Sequence, residues 1–313
     1  MKLKVIVAET KNFSSETISL LNENFDLTLE DISKDKLVYC FDNFDIFWFR
    51  LKFKLDKNLL EGANKCKYIV CPVTGLDHID LVACEQKGIK VISLKGEVEF
   101  LTNIRATAEH TLGLTLSLLR HIPQAYNSVK SNNWNRELFK GSEIFGKKVG
   151  ILGVGRLGSI TAGYFKAFGA EVFGFDIRPF DESICKSVIS IEELFSTCDI
   201  ISIHVNLNSS TQNLIGYNIL KLMPQGSFLI NTSRGAIVKS EDLIKALEDE
   251  ILAAAACDVI ENEFDHKNDP LVKYAAQNEK LILTPHIGGN TFESFRKTEL
   301  FMCKKLANQI INL

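Results

Sequence analysis

The chain has 313 residues and a formal net charge of -3, with 36 basic and 39 acidic residues. This length favours about two domains with a cleft between them. The small net charge and the lack of a basic stripe exclude an electrostatic case for nucleic acid or an anionic membrane surface, so a small-molecule partner is expected.

Cysteine usage and the N-terminus bear on location. The eight cysteines are scattered with no C-x-x-C pair, which argues against a zinc site and a disulfide framework, so no metal site is predicted. The opening stretch MKLKVIVAET is too short an apolar run for a signal peptide or a membrane span. A cytoplasmic protein is therefore predicted.

The first hundred residues alternate short β-rich runs with amphipathic segments. The runs are VIVAE, FDIFWFR, KYIVCPV and KVISLKG, and SSETISLLNEN, LDKNLLEGA and DLVACEQKG separate them. This βαβ rhythm predicts a parallel sheet. The next segment, from Thr102 to Ile122, spaces Leu112, Leu116 and Leu119 on one face, which predicts a single long helix.

A second and more regular βαβ series starts at Val149. Its β-rich runs are VGILG, EVFGFD, IISIHV, SFLINTS, LAAAACDVI and LILTPHI. Thr291 is placed to cap a final helix. The two series predict an α/β fold with two Rossmann-like, doubly wound parallel sheets.

The stretch VGILGVGRLG carries three glycines in a G-x-G-x-x-G pattern between a predicted strand and a predicted helix. Gly153 allows a tight turn, Gly155 lets the backbone approach a pyrophosphate, and Gly158 lets the helix pack closely on the strand. The first amides of the helix then face the phosphate. The pattern indicates a dinucleotide site, although such glycines also occur in ordinary turns.

Asp176 ends the next predicted strand, eighteen positions after Gly158. A carboxylate there binds the ribose hydroxyls and repels a 2′-phosphate, which favours NAD over NADP. The alternatives are an ordinary Asp in a turn before Pro179, and a phosphate contact from the nearby Arg178.

Three further stretches follow predicted strands, where open α/β sheets place ligands. They are NTSRG with Arg234, AACDVIENEF with Asp258 and Glu263, and LTPHIGG with His286. Singly, such an Arg is usually solvated and such a His usually packs structurally. Together they supply what reduction of a 2-oxo acid requires, namely a guanidinium for the carboxylate, an imidazole for the carbonyl oxygen and an acid beside the imidazole.

These motifs, with TGLDHID, NIRATAEHTLGLTLSLLR and TPHIGGNT, resemble the D-isomer-specific 2-hydroxyacid dehydrogenase family, which includes 3-phosphoglycerate dehydrogenases and hydroxypyruvate and glyoxylate reductases. The resemblance implies a discontinuous, flavodoxin-like substrate-binding (catalytic) domain from residues 1–101 and 288–313. It implies an NAD-binding Rossmann domain from residues 102–287, and a homodimer formed through that domain.

The resemblance also implies roles for particular residues. Arg234, Glu263 and His286 would be catalytic, and Arg234 would also bind the substrate. Backbone amides of Gly75 and Leu76 would hold the substrate carboxylate, and Arg50 would contact a polar or anionic group away from the 2-oxo carbon. The residues expected around NAD are Gly153, Gly155, Arg156, Leu157, Gly158, Asp176, His204, Thr232, Asp258, His286 and Gly288.

The chain departs from the family pattern at two places. Phe264 follows Glu263 where proline is common, and Glu261 is a rival partner for His286. The stretch HVNL replaces His-x-Pro-Leu, so Asn206 removes a fixed turn while His204 is still expected to border the nicotinamide. His78, in TGLDHID, is expected to be a helix cap or a surface residue.

The predicted function is an NAD-dependent D-2-hydroxyacid dehydrogenase that moves a hydride reversibly between NAD(H) and a small 2-oxo or 2-hydroxy acid. The substrate could be of the 3-phosphoglycerate, hydroxypyruvate or glyoxylate type, and the physiological direction is open. An alternative is an NAD(H)-sensing, corepressor-like binding protein on the same fold. Formate dehydrogenase is a weaker alternative.

Overall fold

The computed structural model describes residues 2–311. Its strands are β1 (Lys4–Val7), β2 (Asp26–Leu29), β3 (Ile46–Trp48), β4 (Tyr68–Cys71), β5 (Lys90–Ser93), β6 (Lys148–Leu152), β7 (Glu171–Phe175), β8 (Lys186–Ser187), β9 (Ile200–Ile203), β10 (Ser227–Asn231), β11 (Leu252–Cys257) and β12 (Leu281–Leu283). Its helices are α1 (Ser15–Asn24), α2 (Leu37–Asn43), α3 (Lys57–Glu61), α4 (Leu81–Gln86), α5 (Val98–Leu101), α6 (Ala106–Leu119), α7 (Ile122–Lys130), α8 (Arg156–Ala167), α9 (Ile191–Thr197), α10 (Tyr217–Leu220), α11 (Ser240–Glu248), α12 (Pro270–Ala275) and α13 (Phe292–Ile311). Short 3₁₀ turns span Lys34–Lys36, Arg136–Phe139, Gly235–Ile237 and Glu263–Asn268.

The first of two compact units is discontinuous and comprises Met1–Ile104 and Asn290–Leu313. Its five strands are all parallel, in the order β2-β1-β3-β4-β5. Alternate residues of β3 enter separate cores on the two faces, since Phe47 packs on one side and Trp48 on the other. Met302 and Leu306 of α13 lie in the Trp48 core. Burial on both faces explains why these strands read as almost continuous apolar runs.

The second unit, Arg105–Gly289, holds a seven-stranded parallel sheet in the order β12-β11-β10-β9-β6-β7-β8. The chain starts this sheet in the middle, at β6, and winds outward in both directions. The carboxyl ends of β6 and β9 therefore form the switch point at which doubly wound sheets bind ligands. The predicted α/β fold class with two Rossmann-like sheets is confirmed.

The predicted single helix from Thr102 to Ile122 is wrong. The helix α6 covers only Ala106–Leu119, and His121 then takes a left-handed conformation with φ +52°. A new helix, α7, begins directly afterwards with Pro123 in its first turn. Proline fits there because first-turn amides have no partner within the helix, so it starts this helix instead of ending the one before.

Two smaller predictions had different outcomes. Thr291 does cap α13, because its Oγ1 accepts the Ser294 N–H at 3.1 Å. His78 is neither a cap nor a surface residue, since it is buried with Nε2 3.1 Å from the Arg50 carbonyl oxygen. Asp80 caps the following helix instead, by accepting the Ala83 N–H at 2.9 Å.

Three further features concern the thiols, the side chains able to bind a metal ion and the long helices. All eight cysteines are buried and carry free thiols. Within residues 2–311, no group of three or more His, Cys, Asp or Glu side chains is arranged to hold a metal ion. Among the helices of that same range, none combines the length and the apolar character needed to cross a membrane.

Candidate active site

The glycine loop follows β6, and its three glycines meet different surroundings. Gly153 has φ +93°, and a Cβ there would lie 2.9 Å from the backbone of residues 204–205. A Cβ on Gly158 would lie 2.0 Å from the Gly153 carbonyl oxygen. Around Gly155, by contrast, a Cβ would meet only the Arg178 Nη2 atom, at 3.9 Å. The first and third glycines are required by the chain itself, and the second leaves open space where a phosphate would lie.

The start of α8 completes this anion site. Gly155 is the N-cap residue, and it has no side chain to bond the amides of the first turn. Arg156 and Leu157 are the first residues of the helix, which is twelve residues long. Its positive end therefore faces the loop, so the residues present fit a dinucleotide pyrophosphate.

Asp176 directly follows β7, and its side chain is mostly buried. Its Oδ1 atom accepts the Arg178 N–H at 2.9 Å and lies 3.7 Å from the Arg178 Nε atom. The Arg178 side chain is itself exposed. Carboxylate and guanidinium are thus neighbours at the place where the ribose of a bound dinucleotide is expected.

Asp258 follows β11 and accepts several hydrogen bonds from the loop that follows β12. Its Oδ1 atom accepts the Thr284 hydroxyl at 2.6 Å and the Ile287 N–H at 2.8 Å, and its Oδ2 atom accepts the Gly288 N–H at 2.7 Å. Its carbonyl oxygen accepts the His286 N–H at 2.8 Å. Three consecutive amides, 286–288, therefore point to one residue.

These contacts decide the charge of Asp258. Burial by itself raises the pKa of this carboxyl group, but hydrogen bonds from the His110 and Thr284 side chains and from the amides of Ile287 and Gly288 outweigh burial. The pKa of Asp258 consequently lies below its usual value. Asp258 is an ionised, buried carboxylate at neutral pH.

His286 sits in that loop with φ +53°, a left-handed conformation that costs a non-glycine residue roughly 1–3 kcal/mol. Its Nδ1 atom lies 2.8 Å from Oε2 of Glu263, whereas Glu261 is exposed. Because an ionised carboxylate can only accept, Nδ1 carries the hydrogen. The Nε2 atom is then the ring atom left for chemistry.

Arg234 follows β10 and precedes the 3₁₀ turn Gly235–Ile237. Its Nη1 atom lies 2.8 Å from the Ser233 carbonyl oxygen, and its own carbonyl oxygen accepts the Asn231 Nδ2–H at 2.9 Å. A Cβ on Gly235 would lie 1.9 Å from the Ile260 carbonyl carbon. Glycine is needed here because the loops after β10 and β11 pass against each other, and this brings the Arg234 and Glu263 segments to one edge of the sheet.

Two other residues expected near the cofactor have partners inside the protein. His204 has Nε2 2.8 Å from the Ser202 Oγ atom, and burial lowers the pKa of its imidazole to about 4, so it is neutral at pH 7. Thr232 is buried, with Oγ1 2.7 Å from Thr111 Oγ1 on α6. Both lie at the carboxyl edge of the sheet, after β9 and β10 respectively.

The substrate residues expected in the first unit follow two neighbouring strands. Gly75 and Leu76 lie between β4 and α4, and Arg50 lies just after β3. The Arg50 side chain is only 12% exposed; it forms an ion pair with the fully buried Glu299 of α13. Its guanidinium carbon lies 4.0 Å from the centroid of the Phe295 ring.

Sequence reasoning missed the partners of these residues. Glu299 gives no signal because it is one of several charged residues on a long helix. His110 gives no signal either, since it is one of several polar residues in the helical stretch ATAEHTLGLTLSLL. In the structure its Nε2 atom lies 3.0 Å from Thr284 Oγ1 and 3.3 Å from Asp258 Oδ1.

A doubly wound sheet with this glycine loop and a His–Glu pair at its carboxyl edge is an arrangement typical of dinucleotide-dependent oxidoreductases. A family model described as "D-isomer specific 2-hydroxyacid dehydrogenase, NAD binding domain" matches residues 112–288. The chain belongs to the D-isomer specific 2-hydroxyacid dehydrogenase family, whose members are NAD-dependent oxidoreductases acting on 2-hydroxy acids. Its cofactor is NAD.

Individual relatives extend over nearly the whole chain. A hydroxypyruvate reductase of Thermotoga maritima is 28% identical over 309 residues, which are 99% of each chain. A D-3-phosphoglycerate dehydrogenase of Archaeoglobus fulgidus is 33% identical over 99% of this chain, which spans only 57% of that relative's length. The crystal structure of Aquifex aeolicus D-lactate dehydrogenase with NAD and lactic acid has a TM-score of 0.84 and 25% identity, and covers 99% of this chain and 96% of its own.

Proposed function

We propose that this chain transfers a hydride reversibly between NAD(H) and a small 2-oxo or 2-hydroxy acid, and that the hydroxy acid has the D configuration. The observation that carries the proposal is the hydrogen bond between His286 Nδ1 and Glu263. His286 lies in a loop whose amides donate hydrogen bonds to Asp258. An imidazole held in this way is oriented for proton transfer at its other nitrogen.

The roles of the side chains follow from their chemistry. Bound nicotinamide supplies or removes the hydride at the substrate C2 atom. Arg234 binds the substrate carboxylate and stabilises the negative charge that develops on the carbonyl oxygen. In reduction, His286 Nε2–H donates its proton to that oxygen, and in oxidation Nε2 takes the proton back. Glu263 stabilises the imidazolium form through Nδ1–H.

The discontinuous unit is proposed to bind the substrate and the continuous unit to bind NAD. In the former, the amides of Gly75 and Leu76 would hold the substrate carboxylate, and Arg50 would meet a polar group of a larger substrate. In the latter, the glycine loop and Asp176 would hold the dinucleotide, and His204, Thr232, Asp258 and Gly288 would border its nicotinamide end.

The substrate proposal is tested by initial rates of NADH oxidation with glyoxylate, hydroxypyruvate, pyruvate and phosphohydroxypyruvate. The names of the relatives, which include hydroxypyruvate reductase and D-3-phosphoglycerate dehydrogenase, support acids of this size. We expect turnover with at least one of the four. Tight NADH binding without turnover of any oxo acid would instead favour an NAD(H)-sensing, corepressor-like protein.

Asp176 is expected to set the preference for NADH over NADPH. Asp176→Ser removes the ribose acceptor and the repulsion of a 2′-phosphate, and it leaves the Arg178 guanidinium free to bind that phosphate. A charged hydrogen bond contributes about 1.5–3 kcal/mol, so the preference for NADH in kcat/KM should narrow by about tenfold to a hundredfold. Asp181→Ser, in the same loop, is the control and should change nothing. A wild-type enzyme that already prefers NADPH would refute the assignment.

A homodimer through the NAD-binding unit is also proposed. The helix α7 buries none of its residues, and Ile122, Tyr126 and Val129 form one exposed apolar stripe on it. Trp134, 88% exposed, and Leu138 continue the apolar surface just beyond the helix. An exposed apolar patch of this kind is typical of a protein interface. In a two-fold symmetric dimer, the patch would pack against the same patch of the second chain.

This interface gives a direct prediction. Tyr126→Glu places a charge in the middle of the stripe and should convert the dimer into a monomer, as measured by light scattering at micromolar concentration. Tyr39→Glu is the control, because Tyr39 is exposed to a similar degree but lies in the first unit. A Tyr126→Glu protein that remains a dimer would place the interface elsewhere.

The remaining proposals concern location and other partners. The eight free thiols support a cytoplasmic location, because free cysteines persist in reducing compartments. The formal net charge of -3 argues against a nucleic-acid or membrane partner. A small-molecule substrate and a second copy of the chain are the partners proposed.

A further inference from the structure

The helix α6 contacts two loops of the candidate active site through neighbouring residues. His110 reaches the loop that carries His286, with Nε2 3.0 Å from Thr284 Oγ1. Thr111 reaches the loop that carries Arg234, through its 2.7 Å contact with Thr232. Nothing in the proposed chemistry uses His110, although its side chain is only 20% exposed.

The hydrogens in this network can be assigned from donor and acceptor chemistry. The Thr284 hydroxyl donates its one hydrogen to Asp258 Oδ1 at 2.6 Å. Its oxygen is therefore an acceptor towards His110. Asp258 is ionised and can only accept as well. Both atoms near His110 Nε2 are acceptors, so Nε2 carries a hydrogen and donates it to them.

This hydrogen bond supports the network that holds the left-handed turn at His286. The amides of Ile287 and Gly288 donate to the Asp258 carboxylate, and the His286 amide donates to its carbonyl oxygen. Without the hydrogen on His110 Nε2, the Thr284 and Asp258 oxygens would each lose a hydrogen-bond donor, and both oxygens lie in a mostly buried part of the unit. An incompletely satisfied buried network is costly, and the carboxylate would turn to find another donor.

We infer that His110 is a positioning residue for His286, acting through Thr284 and Asp258. The Nε2–H group fixes the side chains of those two residues, and they fix the backbone of residues 286–288 and hence the direction of the His286 ring. The inference rests on the proposed function only for the consequence on turnover. Its structural part is independent of that function.

The test uses two polar replacements that differ in reach. A glutamine amide nitrogen can occupy the position of the histidine Nε2 atom, whereas an asparagine amide ends near Nδ1 and falls short. His110→Gln should keep kcat for the best oxo acid within about threefold of wild type, and His110→Asn should lower it about tenfold to a hundredfold, since a displacement of about 1 Å can cost that much. The KM for the oxo acid should change by less than about threefold, because Thr111 and not His110 braces the Arg234 loop.

A second readout needs no catalysis. Amide hydrogen exchange of the full-length chain should be about tenfold faster or more for residues 287–288 in His110→Asn, and close to wild type in His110→Gln. The amides of β6 should be unaffected in both, which separates a local opening from general destabilisation.

Unchanged exchange at residues 287–288 together with unchanged kcat in His110→Asn would overturn the inference. Equal defects in the Gln and Asn variants would also overturn it, because the donor at Nε2 would then not be the acting feature. If the wild type reduces no oxo acid, the proposed function fails and the exchange result alone decides the role of His110.

Discussion

His286→Asn is expected to lower kcat for oxo-acid reduction by roughly two to four orders of magnitude, the usual contribution of a positioned general acid. Asparagine tolerates the left-handed backbone found at this position, with φ +53°. Its amide nitrogen can also replace Nδ1 as donor to Glu263. What it lacks is a group at the Nε2 position that can give and take a proton, so the loss reports that function alone.

The measurement is steady-state kinetics beside NADH binding followed by fluorescence. NADH affinity should stay within about threefold of wild type, since the change removes proton transfer and leaves the glycine loop untouched. Glu263→Gln should lower kcat by a smaller factor, about tenfold to a hundredfold, because the imidazolium loses a charged partner. The exposed Glu261 offers the matched control, and Glu261→Gln should behave as wild type. Near-normal turnover in His286→Asn would remove His286 from the chemistry.

The largest effect on stability is expected at Glu299. Glu299→Ala leaves the Arg50 guanidinium, only 12% exposed, without its carboxylate, and it also removes the acceptor of the Ser14 N–H at 2.8 Å. Breaking a buried ion pair from one side costs about 3–5 kcal/mol. The change should therefore lower the free energy of unfolding of the first unit by about that amount.

The buried Trp48 in the first unit gives a local signal for denaturant unfolding, because Trp134 in the second unit is exposed and responds little. Glu293→Ala, at an exposed position of the same helix, should cost less than about 1 kcal/mol. The double change Arg50→Met with Glu299→Leu should recover most of the loss, since apolar residues can replace a buried pair. A loss below about 1 kcal/mol in Glu299→Ala would show that the pair adds little.

The ion pair with Glu299 and the proposed substrate contact are two different roles for Arg50, and one substitution separates them. If Arg50 contacts a polar group away from the 2-oxo carbon, Arg50→Ala should impair phosphohydroxypyruvate and hydroxypyruvate about tenfold to a hundredfold and leave glyoxylate almost unchanged. An equal loss for all three acids, together with reduced stability, would assign Arg50 to the pair with Glu299 alone.

The parts of the fold that local pattern determines were predictable. The βαβ rhythm predicted both parallel sheets, and the G-x-G-x-x-G spacing marked the turn after β6, because the first and third glycines there meet close backbone contacts that exclude a side chain. The break between α6 and α7 was missed because the periodicity of the apolar residues continues across it. The first helix ends just before His121, which takes the left-handed conformation, and no glycine stands there to mark the end in the sequence.

The parts that depend on distant residues were not predictable. Arg50 and Glu299 are 249 positions apart, and neither stands in a pattern that points to the other. His110 and Thr284 are 174 positions apart and meet only because α6 packs beside β11. The candidate catalytic residues could be named from their motifs, whereas the network that holds them required the folded chain.

The most direct test of the central claim is a single turnover with NADH that carries deuterium on the transferable position of its nicotinamide. Hydroxypyruvate and pyruvate are suitable acceptors because reduction makes their C2 atom chiral. We expect deuterium at C2 of a product with the D configuration, and no transfer in His286→Asn on the same time scale. A product of the L configuration, or no deuterium at C2 of any oxo acid under conditions where NADH is bound, would contradict the assignment of this chain as a D-2-hydroxyacid dehydrogenase.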